Sequence, residues 1–537
     1  MKLIVKYGLL AVALITIASV SSTYAATPGS EGSKPKRGGT IVIGTPFEPR
    51  QLNLAITTSW ADLLVACKVF NGLLRFPDKG YPEPQPDLAE KWSISPDGKR
   101  ITFNLVHNAR WHDGVPFTSA DVKFTYEKVT RELSPIRSVF QSITKIVTPD
   151  PYTVVIERSR PFSLLYFNGS GGAILPKHLY ENTDIATNPH NLRPVGTGPF
   201  KLKEWVKGSH IELVRSGAYF KPGKPYLDRV IFKFIGDVPS GIAALEKGEI
   251  DYLPRWIPVG EVERLKKRGG IDVSPVGGIG FSQMRWITFN MKDPNLKDVR
   301  VRRAIAHAID TALVNRIATG GQFELGENYL WKQYPQFDPK ASVPSNYKYD
   351  VEQARRLLDE AGLKVGSDGK RLRLELLTHT GVIDLDKTVE VIRDQLSKVG
   401  IEVIVKRVER ALSFDLAKDG KFQLYIHSNF NSGPEPVTGL ELWFTTANIG
   451  HLLGNAGSYS NPEVDRLAVE ASQEPNFEKQ KKIVARLQQL FMMDLPALPL
   501  QQWAPLSGYR TEFVNVVSES VDGAESLNDT WWTKGGS

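Results

Sequence analysis

The chain has 537 residues, of which 41% are apolar, 23% are charged and 10% are aromatic. This balance is typical of a globular protein with a large core and excludes a mainly disordered chain, and the length predicts about three to four folding units. The formal net charge is +8, and the single cysteine, Cys67, excludes an internal disulfide and any multi-cysteine zinc or iron–sulfur site.

The first 25 residues have the layout of a secretory signal peptide. Lys2 and Lys6 flank the start, residues 8–20 are almost wholly apolar, and the small residues Thr23 and Ala25 precede a cleavage point after Ala25. The apolar run is shorter than the roughly 20 residues that cross a bilayer. Because no cysteine lies near the cleavage point, we expect an exported, periplasmic protein that is not a lipoprotein. Residues 26–39 are polar and predict a flexible leader.

Strand and helix patterns alternate along the rest of the chain. Helical spacing or capping signals predict helices at 63–74, 119–129, 240–247, 299–319, 351–361 and 385–399. Short β-branched runs predict strands at 40–44, 101–106, 153–157, 211–215, 229–235, 371–378 and 401–408. This alternation predicts an α/β protein with several partly parallel sheets.

The sequence lacks the motifs of common enzymatic chemistry. There is no GxxxxGK[ST], GxGxxG, HExxH or GxSxG, and the closest histidine pair, His107 and His112, has a spacing that favours structural roles. Carboxylates are plentiful, but no spacing selects an acid–base pair. The densest basic segments, 266–268 and 302–303, have no interleaved aromatic residues. We therefore expect no enzyme, no cofactor, no metal site and no nucleic-acid partner.

The most informative residues form long strings that follow one another in a fixed order. They are Asp87–Trp92, Ser95–Lys99, Trp111–Val122, Ile174–His178, Pro194–Phe200, Gly248–Asp251, Asp298–Ile305, Leu357–Gly362 and Tyr459–Asp465. These strings closely resemble the family 5 solute-binding proteins of ABC importers, the dipeptide-, oligopeptide- and nickel-binding group. The similarity extends from about residue 38 to the C-terminus.

The resemblance implies a large, two-lobed periplasmic-binding-protein clamshell with mixed sheets flanked by helices. It places a first lobe at 40–70, 194–282 and 498–537, an extra subdomain at 71–193, and a second lobe at 283–497. The two crossings between lobes are expected near 277–283 and 496–501. Gly277, Gly278 and Gly280 suit the backbone rotation of a hinge, although a glycine cluster is also typical of a simple turn.

The resemblance also implies a function. We expect a monomeric binding component that captures a peptide or peptide-like solute between its lobes and delivers it to an inner-membrane ABC permease. Within the same class, the alternative is a non-peptide solute such as an opine, a modified sugar or another organic anion. A periplasmic sensor or chaperone-like binder without transport is a second alternative, and a secreted hydrolase is a distant third.

One position departs from the pattern of the peptide-binding relatives. In those relatives an aspartate just before an acidic-Pro pair binds the α-ammonium of the ligand. Taking Glu435–Pro436 as that pair, the anchoring position is Ser432, which cannot supply the countercharge of a buried ammonium. Either Glu435 replaces the aspartate, or the solute has no free amine.

Further candidates for the binding site follow from the expected edges of the lobes. Arg285 is suited to hold a carboxylate or phosphate and Trp286 to stack a ring, while a surface arginine and a core tryptophan are the alternatives. Trp443 is either a ligand contact or a core residue. The full set of candidates is Ser59, Trp60, Phe281, Met284, Arg285, Trp286, Asn429, Phe430, Ser432, Glu435 and Trp443.

Overall fold

The computed structural model describes residues 34–57, 59–77, 83–275, 283–380, 382–430, 436–452, 454–518 and 526–534. Within these ranges the chain forms sheets of seven, six and four strands, together with two small two-stranded sheets at 74–75 with 85–86 and at 513–514 with 531–532. No helix in the described ranges is both long enough and apolar enough to cross a membrane.

The seven-stranded sheet forms the first lobe. Its strands, in spatial order, are Ile271–Pro275, Leu506–Arg510, Tyr252–Leu253, Thr40–Thr45, Arg229–Phe234, His210–Arg215 and Phe200–Val206. Thr40–Thr45 lies parallel to both of its neighbours, and the remaining pairs are antiparallel. The helices are Trp60–Ala66, Val238–Lys247 and Val262–Arg268.

The helix predicted at 63–74 ends early, at Ala66. The carbonyl groups that would continue it are used elsewhere, because Lys68 accepts a hydrogen bond from Phe200 N–H at 3.1 Å and Val69 accepts one from Gly198 N–H at 2.8 Å. Long-range backbone pairing therefore replaces the local helical bonds.

The four-stranded antiparallel sheet forms the extra subdomain. Its strands, in spatial order, are Ala89–Ile94, Arg100–Leu105, Thr153–Arg158 and Ile143–Asp150. The helix Ser119–Phe124 continues as a π-helix, Thr125–Thr130, and buries Val122 and Tyr126 against this sheet. Short helical segments complete the subdomain at Arg131–Leu133, Arg137–Phe140, Leu164–Phe167, Lys177–Tyr180 and Pro189–Asn191.

His112 joins the subdomain to the first lobe. Its Nδ1 accepts a hydrogen bond from Gly196 N–H at 3.3 Å, and its Nε2 lies 2.9 Å from the carbonyl oxygen of Gly198, to which it donates. Next to it, Thr197 Oγ1 donates to Asn71 and Asn71 Nδ2 donates to Asp87. Three of the sequence strings that carry the resemblance, at 87–92, 111–122 and 194–200, thus meet at one junction.

The His112 junction predicts an acid-sensitive contribution to stability. Burial lowers the pKa of His112 to about 4, and only the neutral ring can accept the bond from Gly196. In the unfolded chain the ring titrates near 6.5, so its contribution is complete above that pH and is lost as the pH falls toward 4. Because the residue is only half-buried, we expect a loss of about 2 kcal/mol. Urea unfolding of the wild type and of His112→Gln at pH 7.5 and pH 4.5 measures this loss of unfolding free energy. An equal loss in the two proteins would show that His112 is not its source.

The six-stranded sheet forms the second lobe. Its strands, in spatial order, are Glu324–Leu325, Ala497–Gln502, Gln283–Phe289, Leu424–Phe430, Leu372–His379 and Ile401–Val408. Its helices are Val299–Ala308, Thr311–Thr319, Val343–Asn346, Val351–Glu360, Ile383–Ser397, Arg410–Lys418, Pro436–Phe444, Pro462–Gln473 and Phe477–Asp494. Every residue of the central strand Gln283–Phe289 is buried.

The single helix predicted at 299–319 is two helices, broken at Ile309 and Asp310. The Asp310 carboxylate accepts a hydrogen bond from Leu313 N–H at 2.9 Å and caps the second helix. The apolar spacing runs on through the break, so periodicity alone did not reveal it.

The registers of the paired strands define where the chain crosses between lobes. Pro275 pairs with Leu506 in the first lobe, and Met284 pairs with Gln502 in the second. The second crossing is therefore 503–505, later than the predicted 496–501, because Ala497–Gln502 is a strand of the second lobe. The first crossing, with Gly277, Gly278 and Gly280, lies outside the described residues.

Candidate functional site

The first lobe presents aromatic side chains where its parallel strands end. Phe47 follows the strand Thr40–Thr45 by two residues, and Arg255 and Trp256 follow Tyr252–Leu253. In open α/β sheets, ligands bind outside the carboxyl ends of parallel strands. We call Phe47, Trp60, Arg255 and Trp256 the aromatic wall.

The aromatic wall is centred on Trp256. Its ring centroid lies 5.5 Å from that of Phe47 and 5.9 Å from that of Trp60, both in edge-to-face geometry. The Arg255 guanidinium lies 5.7 Å from the Trp256 centroid and 5.8 Å from the Trp60 centroid. Phe47 is 50% exposed, so the wall combines an accessible apolar face with a positive charge.

The backbone of Arg255 is held in an unusual conformation. Its φ is 71°, in the left-handed region that non-glycine residues seldom adopt, and its N–H donates to Ser507 Oγ at 2.7 Å. A residue keeps such a backbone conformation only where the surrounding structure holds it in place, and these residues are often found at ligand-binding sites. Of the predicted first-lobe contacts, Trp60 belongs to this wall, and Ser59 is exposed just before its helix.

Arg285 is neither at the surface nor available as a simple anchor for a solute. Its side chain is fully buried, and Nη1 donates to Asp384 Oδ2 at 2.7 Å and to Gln501 Oε1 at 3.1 Å. Asp384 lies in the first turn of the helix Ile383–Ser397, which covers this face of the sheet. The carboxylate that we expected from a solute is thus supplied by the protein.

The bonds of Arg285 continue toward the crossing between lobes. Gln501 Nε2 donates to Asn315 Oδ1 at 3.1 Å, and Asn315 Nδ2 donates to the carbonyl oxygen of Phe323 at 2.7 Å. The Phe323 ring in turn lies 6.1 Å from that of Trp503, which is in the second crossing. Arg285 therefore supports the segment at which the lobes meet.

Trp286, Trp443 and Met284 lie in the core of the second lobe. Trp286 is 1% exposed, and its ring centroid lies 6.0 Å from that of Trp443 and 5.5 Å from that of Phe444. Met284 is fully buried in the same cluster. The two tryptophans thus take the core alternative, and Met284, predicted as a ligand contact, is also a core residue.

The remaining candidates are only partly described. Asn429 and Phe430 form the end of the strand Leu424–Phe430, where the structure describes the backbone alone. Phe281, Ser432 and Glu435 lie outside the described residues, so the ammonium anchor stays a prediction.

A cavity of about 390 Å³ lies between the extra subdomain and the second lobe. We call it the distal cavity. The subdomain contributes Ile94, Gly98, Val139 and the loop 158–166, and the second lobe contributes the helix Pro436–Phe444, Asn448 and the segment 472–480. At its edge the two units touch, since a β-carbon placed on Gly98 would lie 3.1 Å from Pro475 Cβ. The volume is within the usual range for small-molecule pockets.

Charged side chains lie on both sides of the distal cavity. Arg160 comes from the subdomain and Glu441 from the second lobe, with Phe162 and Tyr166 nearby. Burial raises the pKa of the Glu441 carboxyl, and the positive charge of Arg160 acts against that rise. Among the described residues, no group of three His, Cys, Asp or Glu side chains is arranged to hold a metal ion.

Comparison with known proteins identifies the family to which this architecture belongs. The family of bacterial extracellular solute-binding proteins, family 5 (middle region), matches residues 83–451, more than half of the chain. The chain belongs to this family. The family 5 assignment confirms the resemblance found in the sequence strings.

Individual relatives agree with the assignment. The oligopeptide-binding protein AppA of Bacillus subtilis is 28% identical over 417 residues, which cover 74% of each chain. Its solved structure, in complex with a nonapeptide, has a TM-score of 0.71 at 25% identity and covers 93% of this chain and 100% of that one. The binding protein AgaA of A. tumefaciens R10, in complex with agropinic acid, has a TM-score of 0.70 at 25% identity, covering 92% and 99%. The predicted two-lobed α/β fold is confirmed.

Sequence reasoning about this family 5 member selected Trp60 but missed Phe47, Arg255 and Trp256 of the aromatic wall and both charges of the distal cavity. A usable signal existed for Arg255 and Trp256, which follow the short strand Tyr252–Leu253 after one residue, at the end of a strand where ligands bind in open α/β sheets. Glu441 is the one acidic residue in the apolar helix Pro436–Phe444, which is also a signal. Arg160 lies in the loop after the strand Thr153–Arg158 and has no such signal.

Proposed function

We propose that this protein is the periplasmic binding component of an ABC importer. It is exported by cleavage of residues 1–25, acts as a monomer without catalysis, captures a peptide or peptide-like solute between its lobes, and delivers it to the permease. Family membership and the similarity to AppA, which holds a nonapeptide, support this proposal.

The observation that supports the proposal most directly is that two separate units of the fold line the same cavity. The distal cavity has one side from the extra subdomain and the other from the second lobe. A solute held there touches both units, so its binding favours the closed arrangement over the open one. The second crossing, in which Trp503 N–H donates to the carbonyl oxygen of Gln283 at the start of the central strand at 2.9 Å, is suited to act as part of the hinge.

A non-peptide solute is the second candidate. AgaA shares the fold at the same identity as AppA and holds agropinic acid. Family membership therefore supports capture of a solute more strongly than it supports peptides.

Mass spectrometry on the protein isolated from the periplasm tests the proposal. The chain is expressed with residues 1–25, purified gently, and weighed under native and then denaturing conditions. We expect a mature chain that begins at Ala26 and a native mass increment that resolves into peptides. A single non-peptide mass would favour the second candidate. A chain that retains residues 1–25, or turnover of the bound solute, would contradict the proposal.

None of the four residues of the aromatic wall lines the distal cavity, so we propose the wall as a second contact of the solute, on the first lobe, with its own prediction for affinity. Trp256→Ala removes the ring that contacts both Phe47 and Trp60, and we expect affinity for the recovered solute to fall about tenfold or more, as for other central aromatic contacts. Titration calorimetry measures the affinity of each variant for this solute. We expect Trp256→Phe, which keeps an aromatic ring, to retain most of the affinity. Tyr349→Ala, which removes an exposed ring of the second lobe, is the control. Unchanged affinity in Trp256→Ala would remove the wall from the site.

A further inference from the structure

A second cavity, of about 520 Å³, opens on the surface of the second lobe. We call it the basic cavity. The helix Phe477–Asp494 runs between the two cavities, because its first turn lines the distal cavity and its last turn lines the basic cavity. At about 1.5 Å per residue, these two turns are roughly 20 Å apart. The basic cavity is therefore separate from the position at which we propose that a solute binds.

The charged side chains that line the basic cavity are all cationic. Arg303 and His307 come from the helix Val299–Ala308, and Lys340 precedes the helix Val343–Asn346. Among the described residues that line the cavity, none is Asp or Glu. Neither Arg303 nor Lys340 has an ion pair within the described ranges. Two permanent positive charges thus lie at this cavity without a carboxylate, and His307 adds a third when it is protonated.

Two of the hydrogen-bond donors at this cavity are held in place by other contacts. Arg303 Nη2 donates to the carbonyl oxygen of Met493 at 2.7 Å, which leaves further N–H groups of the guanidinium for a ligand. Gln353 Oε1 accepts from Arg356 Nε at 3.1 Å and from its Nη2 at 2.7 Å. The amide nitrogen of Gln353 makes no hydrogen bond in the part of the chain that the structure describes, so it is available as a donor.

The carboxylates that are close in sequence are used elsewhere. Asp338 accepts from Lys340 N–H at 3.0 Å and from Gln489 Nε2 at 3.2 Å, and Asp350 accepts from Gln353 N–H at 2.8 Å. Neither carboxylate lines the basic cavity. An anion from outside the chain is therefore the group that complements these charges.

A partly apolar rim borders the donors. Met493 is 54% exposed and Leu357 is half-buried, and both line the basic cavity. Phosphate oxygens accept hydrogen bonds from arginine and lysine alike, and the arginine fork can reach two of them at once. A phosphate group that carries an apolar chain matches both the charge and the rim of this cavity.

We propose that the basic cavity binds the phosphate group of an anionic phospholipid at the surface of a membrane. The Arg303 guanidinium, the Lys340 ammonium and the Gln353 amide donate to the phosphate oxygens. Met493 contacts the apolar part of the lipid. The site acts independently of solute capture, because it lies at the other end of the helix Phe477–Asp494 from the distal cavity.

Vesicle sedimentation tests the site on the mature protein. Sucrose-loaded vesicles contain either phosphatidylcholine alone or equal parts of phosphatidylcholine and phosphatidylglycerol. We expect binding to the mixed vesicles to be about twentyfold tighter than binding to the neutral vesicles, since each basic residue near an anionic surface contributes about fivefold. Saturation with the solute recovered from the periplasm should leave both affinities unchanged.

Matched charge variants locate the contact. Arg303→Gln combined with Lys340→Gln should lose about twentyfold in affinity for the mixed vesicles, and Lys340→Gln alone about fivefold. The single variant keeps the bond between Arg303 and Met493, so it tests the site even if the double variant is unstable. Lys247→Gln combined with Lys267→Gln removes the same charge from exposed positions of the first lobe and should bind as the wild type does. Thermal unfolding checks that each variant is folded.

Three results would overturn this inference. The first is an equal loss in the two double variants, which would show a diffuse attraction of charge. The second is equal binding of the wild type to both kinds of vesicle. The third is binding of glycerol phosphate, measured by calorimetry, by a protein that does not sediment with the mixed vesicles. Each result leaves the proposed function standing, since solute capture is measured separately by native mass spectrometry.

Discussion

Replacing Arg285 with methionine is expected to lower the free energy of unfolding of the second lobe by about 3 kcal/mol. The arginine side chain is fully buried and its partner Asp384 is 17% exposed, so the substitution leaves a largely buried carboxylate without its countercharge. Removing one member of a buried pair typically costs more than the pair contributes, because the remaining charge stays out of water. Gln501 loses a donor at the same time.

Urea unfolding of four variants tests this expectation. Asp384→Asn should also be destabilising, and the double variant Arg285→Met with Asp384→Leu should recover part of the loss because no isolated charge remains. The control is Arg486→Met, which breaks an exposed ion pair of 2.9 Å with Glu463 and should cost less than about 1 kcal/mol. If Arg285→Met lowers the free energy of unfolding no more than Arg486→Met does, the buried pair does not stabilise the second lobe.

Gly196→Ala is expected to have an effect of similar size in the first lobe. A β-carbon at residue 196 would lie 1.9 Å from the carbonyl oxygen of Val69 and 2.7 Å from its carbonyl carbon. Backbone atoms cannot rotate away as a side chain does, so the two segments must separate. The same glycine bonds His112 through both its N–H and its carbonyl group. We expect a loss of about 3 kcal/mol, at the upper end of overpacking effects.

Thermal unfolding compares this variant with Gly217→Ala. No atom lies within 4 Å of a β-carbon placed on Gly217, so that substitution should leave the melting temperature nearly unchanged. Gly198→Ala, whose β-carbon would lie 2.5 Å from the Val69 carbonyl carbon, should resemble Gly196→Ala. A stable Gly196→Ala protein would show that the close approach is not required at this junction.

Much of the fold follows from local signals. The predicted strand 401–408 is observed at the same bounds, and the predicted helix 351–361 is observed as Val351–Glu360, begun by the Asp350 cap. These elements are bounded by caps and glycines that act within a few residues. The string Pro194–Phe200 is informative for a different reason, since Gly196 and Gly198 lie directly against another backbone segment.

The observed helices differ from the predicted ones where residues that are distant in sequence, or a single side chain, determine the local structure. The helix at 63–74 ends at Ala66 because Gly198 and Phe200, more than a hundred positions away, take its carbonyl groups. The break at Asp310 depends on a side-chain cap within a continuous apolar pattern. Neither competing interaction is visible in hydrophobic spacing.

The binding site was harder to predict than the fold. Trp60 was selected as a ligand contact of the first lobe, which stays a prediction, and its neighbours Arg255 and Trp256 come from a segment almost 200 positions later. Arg285 was selected for its charge, and no motif or spacing indicated that Asp384 would be its partner. Arginine and glutamate are common, so only the folded chain shows that Arg160 and Glu441 share a cavity.

Small-angle X-ray scattering tests the central claim most directly, because solute capture by lobe closure changes the overall dimensions. The protein is measured after removal of bound solute by partial unfolding and refolding, and again after addition of the solute recovered from the periplasmic preparation. We expect the radius of gyration to fall when the solute is added, and to stay constant when a non-binding solute of the same mass is added. An unchanged radius of gyration with saturating, bound solute would contradict closure of the lobes.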